Sequence, residues 1–383
     1  MLTEKLFYTD SYISNFNATV TGCVKASDCY HITLDKTAFF FEGGGQKADT
    51  GLIGDAVVKD VQEVGEELIH LCDRELEVGK EYSCSLDWNT RFRRMQQHGG
   101  EHIVSGIVHS VYGYNNVGFH MEDDYVTVDF SGELTREQLD EVEEKANEAV
   151  CKNYAIKCYF PESSALENID YRSKLDLTEG VRLVEIENTD LCACCAPHLK
   201  NTGEIGVIKI LDFMRHRGGI RLVMKSGLDA VDDYRAKYKS VYEISNLLSA
   251  KQTEVSAAVE RLQSENEKIY REFTDFKKSV AQSTKKSIVF KDRVSYCIVS
   301  GFDTDMMREL ANFAMERSEL CFIFSGDDSV GYSYIAGSNS ADMRSVAKEI
   351  NTMLNGRGGG RDTMIQGKIS ATEEEILDFI DKM

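Results

Sequence analysis

The sequence predicts an α+β protein in four parts. They are a small N-terminal β-barrel, an α+β domain, a long coiled-coil helix and a small C-terminal α/β domain. Three observations predict it. Short alternating runs between glycine and aspartate fill the first 90 residues, the pattern of an antiparallel meander or barrel. An amphipathic helix flanked by strand-like runs follows, as in a helix packed on a sheet. Residues 228–286 then hold neither glycine nor proline, as a long helix requires.

The barrel is expected over residues 1–90. Its strands are Ala18-Thr19-Val20, Tyr30-His31-Ile32-Thr33-Leu34, Ala56-Val57-Val58 and Leu68-Ile69-His70-Leu71. Between them lies Phe39-Phe40-Phe41-Glu42-Gly43-Gly44-Gly45-Gln46. Three consecutive glycines reach dihedrals closed to other residues and let backbone approach a ligand. The second domain covers 91–227. Arg91 to Tyr112 is helical in character, interrupted by Gly99, Gly100 and Gly106. In Thr135–Asn153, Leu139, Val142, Ala146 and Val150 recur every three or four residues. Thr135 and Gln138 form a capping box.

The third part, 228–286, repeats Val241, Leu248, Val255, Leu262, Ile269 and Phe276 every seven residues. The second seam position holds Ser245, Gln252, Val259, Asn266, Phe273 and Val280. One seam is apolar and the other half polar, a coiled-coil pattern with a weakened contact. A continuous helix here is roughly 85 Å long. It is expected to serve as spacer and homodimer contact. The fourth part, 287–383, alternates strand and helix, with Gly356-Arg357-Gly358-Gly359-Gly360-Arg361 as a glycine-rich turn after a helix.

Composition narrows the function classes. The chain of 383 residues carries 64 acidic against 44 basic side chains, a formal charge of -20. That argues against a protein that coats DNA but leaves room for local basic faces. No run approaches 18 apolar residues, so no membrane contact is expected. Eleven cysteines, an odd number, follow a start without a secretory pattern. A cytoplasmic setting is expected, with thiols or metal ligands rather than disulfides.

Two clusters can carry chemistry. His98 and His102 are four apart and share a helix face. Cys194 and His198 are also four apart, in Cys192-Ala193-Cys194-Cys195-Ala196-Pro197-His198. Three imidazoles and a thiolate suit tetrahedral Zn2+. Glu101, beside His102, is placed to take a proton from water if it faces the pocket. Gln46 can donate to a carbonyl or a hydroxyl.

The motifs Glu42-Gly43-Gly44-Gly45-Gln46, His98-x-x-x-His102 and Cys194-x-x-x-His198, then Asn201-Thr202-Gly203-Glu204, resemble the freestanding alanyl-tRNA editing proteins of the long form. These are relatives of the editing domain of alanyl-tRNA synthetase. The terminal Gly356–Arg361 run resembles the glycine-rich end of the DHH-associated domain. The resemblance covers nearly the whole chain, without a counterpart of the aminoacylation domain, so a charging enzyme is not expected. It implies a trans-editing hydrolase, independent of ATP, that removes serine, and glycine, wrongly esterified to alanine tRNA. It makes His98, His102, Cys194 and His198 the zinc ligands and lines the substrate pocket with Gly43, Gly44, Gly45 and Gln46. The chain departs from the synthetase pattern at Glu101, where a threonine is common, and at Cys195-Ala196-Pro197.

Two other readings share these residues. His98-Gly99-Gly100-Glu101-His102 is also an H-x-x-E-H metallopeptidase motif, for which Glu179 is a candidate third ligand. A structural zinc in a non-catalytic tRNA-binding protein is the other. RNA contact is expected at local basic excesses: Arg91, Arg93 and Arg94; Arg215, Arg217 and Arg221; and Arg357 with Arg361.

Overall fold

The computed structural model describes residues 3–65, 67–123, 125–166, 168–173 and 180–383. The chain divides into two compact units, Met1–Glu243 and Ile244–Met383. Among the described residues no helix is long and apolar enough to cross a membrane.

In the first unit six antiparallel strands close a barrel, in the order Asn15–Lys25, Tyr30–Leu34, Glu67–Cys72, Ala56–Val64, Gly51–Ile53 and Glu81–Leu86. Alternation explains which way the side chains point: Ile32 with Leu34, Leu68 with Cys72, and Cys84 with Leu86 are all buried. Phe39 and Phe40 fill the same core.

The helix Trp88–Tyr112 leaves the barrel. Asp87 caps its start by accepting from the Thr90 N–H, and Gly113 ends it with φ 72°. The three glycines expected to interrupt it do not. They are its packing face. A Cβ on Gly100 would collide with Ser226, one on Gly106 with Thr189 and Asp190, and one on Gly99 would sit 3.1 Å from Ile205. The helix therefore lies close to the strand Gly219–Ser226 and to the turn before Asp190.

A four-stranded antiparallel sheet, ordered Ile208–His216, Gly219–Ser226, Val126–Phe130 and Asn116–Met121, shares an apolar core with this helix and with Arg136–Lys152. The Thr135–Gln138 capping box is formed. A three-stranded sheet of Ile156–Tyr159, Leu183–Ile186 and Asp190–Ala193 completes the unit.

The glycine- and proline-free stretch is not one helix. It is Leu228–Leu247, then Val255–Thr284. The first helix ends because Ser249 takes φ 49°. Its N–H reaches the Asn246 carbonyl at 3.2 Å, and the Ala250 N–H reaches that of Ser245 at 3.0 Å. Those two bonds make a Schellman stop without a glycine. The second helix, 30 residues, is about 45 Å long rather than 85 Å.

In the second unit a six-stranded sheet runs Val289–Lys291, Val294–Val299, Leu320–Asp327, Gly331–Gly337, Met364–Ile369 and Gly356–Arg361. Only Val294–Val299 with Leu320–Asp327 is parallel among these pairs, and the helix Thr304–Met315 makes the crossover it needs. The Gly356–Arg361 run, expected as a turn, is an edge strand paired to Met364–Ile369. Its glycines allow this: a Cβ on Gly358 would overlap Tyr334, and one on Gly360 would overlap Met364.

Candidate metal centre

Helical spacing brings His98 and His102 to one face of Trp88–Tyr112, with ring centroids 5.2 Å apart. The strand Asp190–Ala193 delivers Cys194 from the far side of the sequence. Its Sγ lies 3.5 Å from His98 Nε2 and 3.4 Å from His198 Nε2. One ligand atom each from His98, His102, Cys194 and His198 falls within 4.8 Å of the others, a group that could hold a metal ion.

The surrounding shell orients the donors. Asp190 Oδ2 takes His102 Nδ1 at 2.9 Å, and Arg172 clamps the carboxylate, donating from Nε to Oδ1 at 2.7 Å and from Nη2 to Oδ2 at 2.8 Å. Burial raises the Asp190 pKa, but the bonds to His102 and Arg172 outweigh it and hold the carboxyl below its ordinary range. The carboxylate therefore fixes the His102 tautomer and leaves Nε2 toward the cluster, the usual support for a metal-bound imidazole. Gln46 Oε1 lies 3.1 Å from His98 Nδ1 and does the same there. Arg182 donates to the carbonyls of Cys194, at 3.0 Å, and Ala196, at 2.8 Å, which holds the cysteine loop in place. Ser11 donates to the His198 carbonyl at 2.6 Å.

The electrostatics fit a cation. Burial pushes the Cys194 thiol well above its usual range, and burial with the neighbouring His98 and His102 pushes His198 well below its own. The neutral His198 imidazole is ready to ligate, and a thiolate here needs a positive charge beside it. His198 Nδ1 is buried without a hydrogen-bond partner among the described residues.

The glycine loop touches this cluster. Gly43 and Gln46 exchange backbone bonds of 3.1 and 3.0 Å across Gly44 and Gly45, whose φ values are 60° and 83°. Positive φ at both central residues is the tight hairpin turn that favours glycine. A Cβ on Gly44 would lie 3.7 Å from Cys194 Sγ, and one on Gly45 would overlap Phe119.

A cavity of about 470 Å³ opens beside the donors. Gly44, Gly45, His98, Glu101, His102 and Cys194 line it. Gly43 and Gln46, expected at the pocket, are not on its wall; Gln46 stands behind His98. Glu101 is 4% exposed. Its Oε1 accepts from Ser105 Oγ at 2.6 Å and from Asn116 Nδ2.

The expected RNA contacts separate into two sets. Arg91 is 1% exposed, paired to Asp49 and bonded to the carbonyls of Ser11 and Ala38, so it cannot meet RNA. Arg94 ties down the Ala48 carbonyl. Arg93 pairs with Asp229 and Asp232, and Arg221 with Asp129. Arg215, Arg217, Arg357 and Arg361 are exposed. Glu179, the metallopeptidase candidate, lies outside the described residues. Asp190, Arg172, Ser105, Asn116 and Arg182 carry no signal in the linear sequence; each acts only where the fold brings it.

Known proteins resemble the chain in both units. Residues 181–225 match the threonyl and alanyl tRNA synthetase second additional domain, and residues 291–383 match the DHHA1 domain. The alanyl-tRNA editing protein AlaX-L of Pyrococcus horikoshii is 27% identical over 98% of this chain and 97% of its own length. The alanine–tRNA ligase of Ignicoccus hospitalis is 28% identical over all of this chain and 43% of the ligase, so the chain spans less than half of that relative. The solved C-Ala domain of Aquifex aeolicus alanyl-tRNA synthetase matches 24% of the chain and 96% of its own, at 19% identity and a TM-score of 0.21.

Proposed function

We propose that this chain, a relative of the alanyl-tRNA editing proteins in the alanyl-tRNA synthetase family, hydrolyses the ester that joins serine, and glycine, to alanine tRNA. The observation that carries the reading is the convergence of His98, His102, Cys194 and His198 beside a cavity that Glu101 also lines. The donor set suits zinc. Bound there, zinc would supply Lewis acidity toward an ester carbonyl or a water.

The rest of the chemistry falls to this chain's own side chains. Glu101, with Oε1 fixed by Ser105 and Asn116, accepts the proton of the attacking water. Asp190 and Gln46 hold the two helix imidazoles in register. Gly44 and Gly45 bring main chain to the cavity without side-chain bulk. Rejection of alanine rests on a polar contact to the serine hydroxyl, since such contacts discriminate far better than a methyl-sized gap.

The reading also gives the helix Val255–Thr284 a partner. Val259, Leu262, Ile269, Phe273 and Phe276 are between 38% and 64% exposed. They follow one heptad seam, interrupted by Asn266. A second copy of the same helix covers such a seam, and a single asparagine in it sets the register.

A Cys194→Ala variant tests the site. It is expected to lose both zinc, measured by metal analysis, and serine release from charged alanine tRNA. A variant that keeps full zinc and full deacylation removes Cys194 from the site.

A further inference from the structure

The strands Ile208–His216 and Gly219–Ser226 are joined by a two-residue turn, Arg217-Gly218, with His216 paired to Gly219. Both turn residues are left-handed, at φ 46° and 84°, the hairpin turn for which asparagine or aspartate with glycine is the usual choice. Seven non-glycine residues among those described have positive φ. Six are asparagine, aspartate or serine, and the seventh is Arg217. A long side chain has no short polar group to bond its own backbone there, so this position is strained. Strain kept at an exposed tip points to a use for the side chain.

The hairpin behind the tip is held firmly. A Cβ on Gly219 would lie 1.9 Å from the Phe130 carbonyl oxygen, so only glycine lets the hairpin pack there. Arg221 grips Asp129 with two bonds, Nε to Oδ1 at 2.6 Å and Nη2 to Oδ2 at 2.7 Å. Beyond them Arg215 and Arg217 are exposed. Residues 208–226 carry five lysines and arginines against one aspartate, in a chain of charge -20. An anionic partner is the complement of such a tip.

The sheet register relates the tip to the cavity. Gly118 lines the cavity, and it pairs through Asp129 and Arg221 to Met214. Three strand spacings make about 14 Å, and three further residues to Arg217 make about 10 Å.

We propose that the Arg215–Arg217 hairpin tip is an RNA-backbone contact, which grips the phosphates of the duplex stem beside the unpaired end that carries the ester. The inference rests on the deacylase reading, which puts that ester at the metal donors. A rigid tip of two arginines neutralises phosphates and positions the duplex without reading its bases.

The test is binding, separate from turnover. The probes are uncharged alanine tRNA and a minihelix of its acceptor and T stems, titrated by fluorescence anisotropy into the zinc-loaded full chain over a range of salt. Arg215→Ala with Arg217→Asn is expected to weaken both RNAs about 10- to 100-fold at about 0.1 M salt. The slope of log affinity against log salt is expected to shrink by about two. Asparagine suits the left-handed turn, so the thermal midpoint is expected to hold or rise. Arg217→Lys alone, which keeps the charge, is expected to retain the slope. An unchanged slope and affinity in the double variant overturns the contact. So does a loss for tRNA with the minihelix unaffected, or a lysine variant as weak as Arg217→Asn alone. Serine release is scored separately. A chain that binds RNA through the tip but releases no amino acid refutes the deacylase and keeps the contact.

Discussion

Asp190 sets the orientation of His102 through a 2.9 Å bond, and Arg172 holds the carboxylate in place. Asp190→Asn is therefore expected to weaken zinc binding about 10- to 100-fold, measured by competition with a chelator. Unchanged affinity means that His102 needs no carboxylate. Glu101→Gln keeps the shape and the bonds from Ser105 and Asn116 while losing the base. Its expected result is a fall in the deacylation rate of about 10²- to 10⁴-fold with zinc content intact. Loss of zinc together with rate would make Glu101 structural.

His70 lies in the barrel, away from this chemistry. Phe39 N–H donates to Thr37 Oγ1. The Thr37 hydroxyl and the Ile32 carbonyl lie 2.9 and 3.1 Å from the two ring nitrogens. A neutral ring completes that chain by accepting from Thr37 and donating to Ile32. Burial lowers its pKa from 6.5 to about 4. A depressed folded pKa gives stability that is complete above pH 6.5 and is lost as pH falls toward 4. The difference is about 3 kcal/mol. His70→Gln is expected to show a smaller drop in denaturant midpoint between pH 7 and pH 4.5 than the unchanged chain, and an identical drop refutes it.

At this scale the pairing of His98 with His102 was legible, because residues four apart on a helix share a face. Asp190 was not, since an aspartate four places before a cysteine has no pattern of its own. Arg91, Arg93 and Arg94 looked like one basic patch. At 100° per residue they point in three directions, and Arg91 points into the core.

Among the elements, Trp88–Tyr112 was legible in extent, but its glycines carried the opposite meaning. They are contacts with Ser226, Thr189 and Ile205 rather than breaks. The arm misled for the reverse reason. Helix ends usually show glycine, and this one stops at Ser249 in a left-handed conformation, so composition hid the stop. The terminal glycine run hid a strand, because its pairing partner Met364–Ile369 is visible only in the sheet. The arm Val255–Thr284 makes its own prediction. Leu262→Glu with Ile269→Glu places like charges in the seam and is expected to turn a dimer into a monomer by sedimentation. Both side chains are more than half exposed, so the fold of each chain survives. A monomeric unchanged chain contradicts the seam's role.

For the whole molecule, a formal charge of -20 makes contact with RNA local. Of the arginines expected to meet RNA, four are exposed. Arg215 is exposed, with only a loose 3.4 Å contact to Glu133, and Arg217, Arg357 and Arg361 are exposed as well. Weak, salt-sensitive association fits the proposed deacylase, which must release its tRNA after each turnover. The α+β class and the barrel strands were readable from alternation and punctuation. The convergence of a helix and a strand separated by about ninety residues at one cluster could only be suspected from the residue types. Release of amino acid by the purified, zinc-loaded chain from alanine tRNA charged with serine, glycine or alanine tests the proposed activity most directly. Rapid release of serine and glycine with alanine retained is the predicted result, and zinc-loaded protein that releases none of the three, or all three alike, contradicts it.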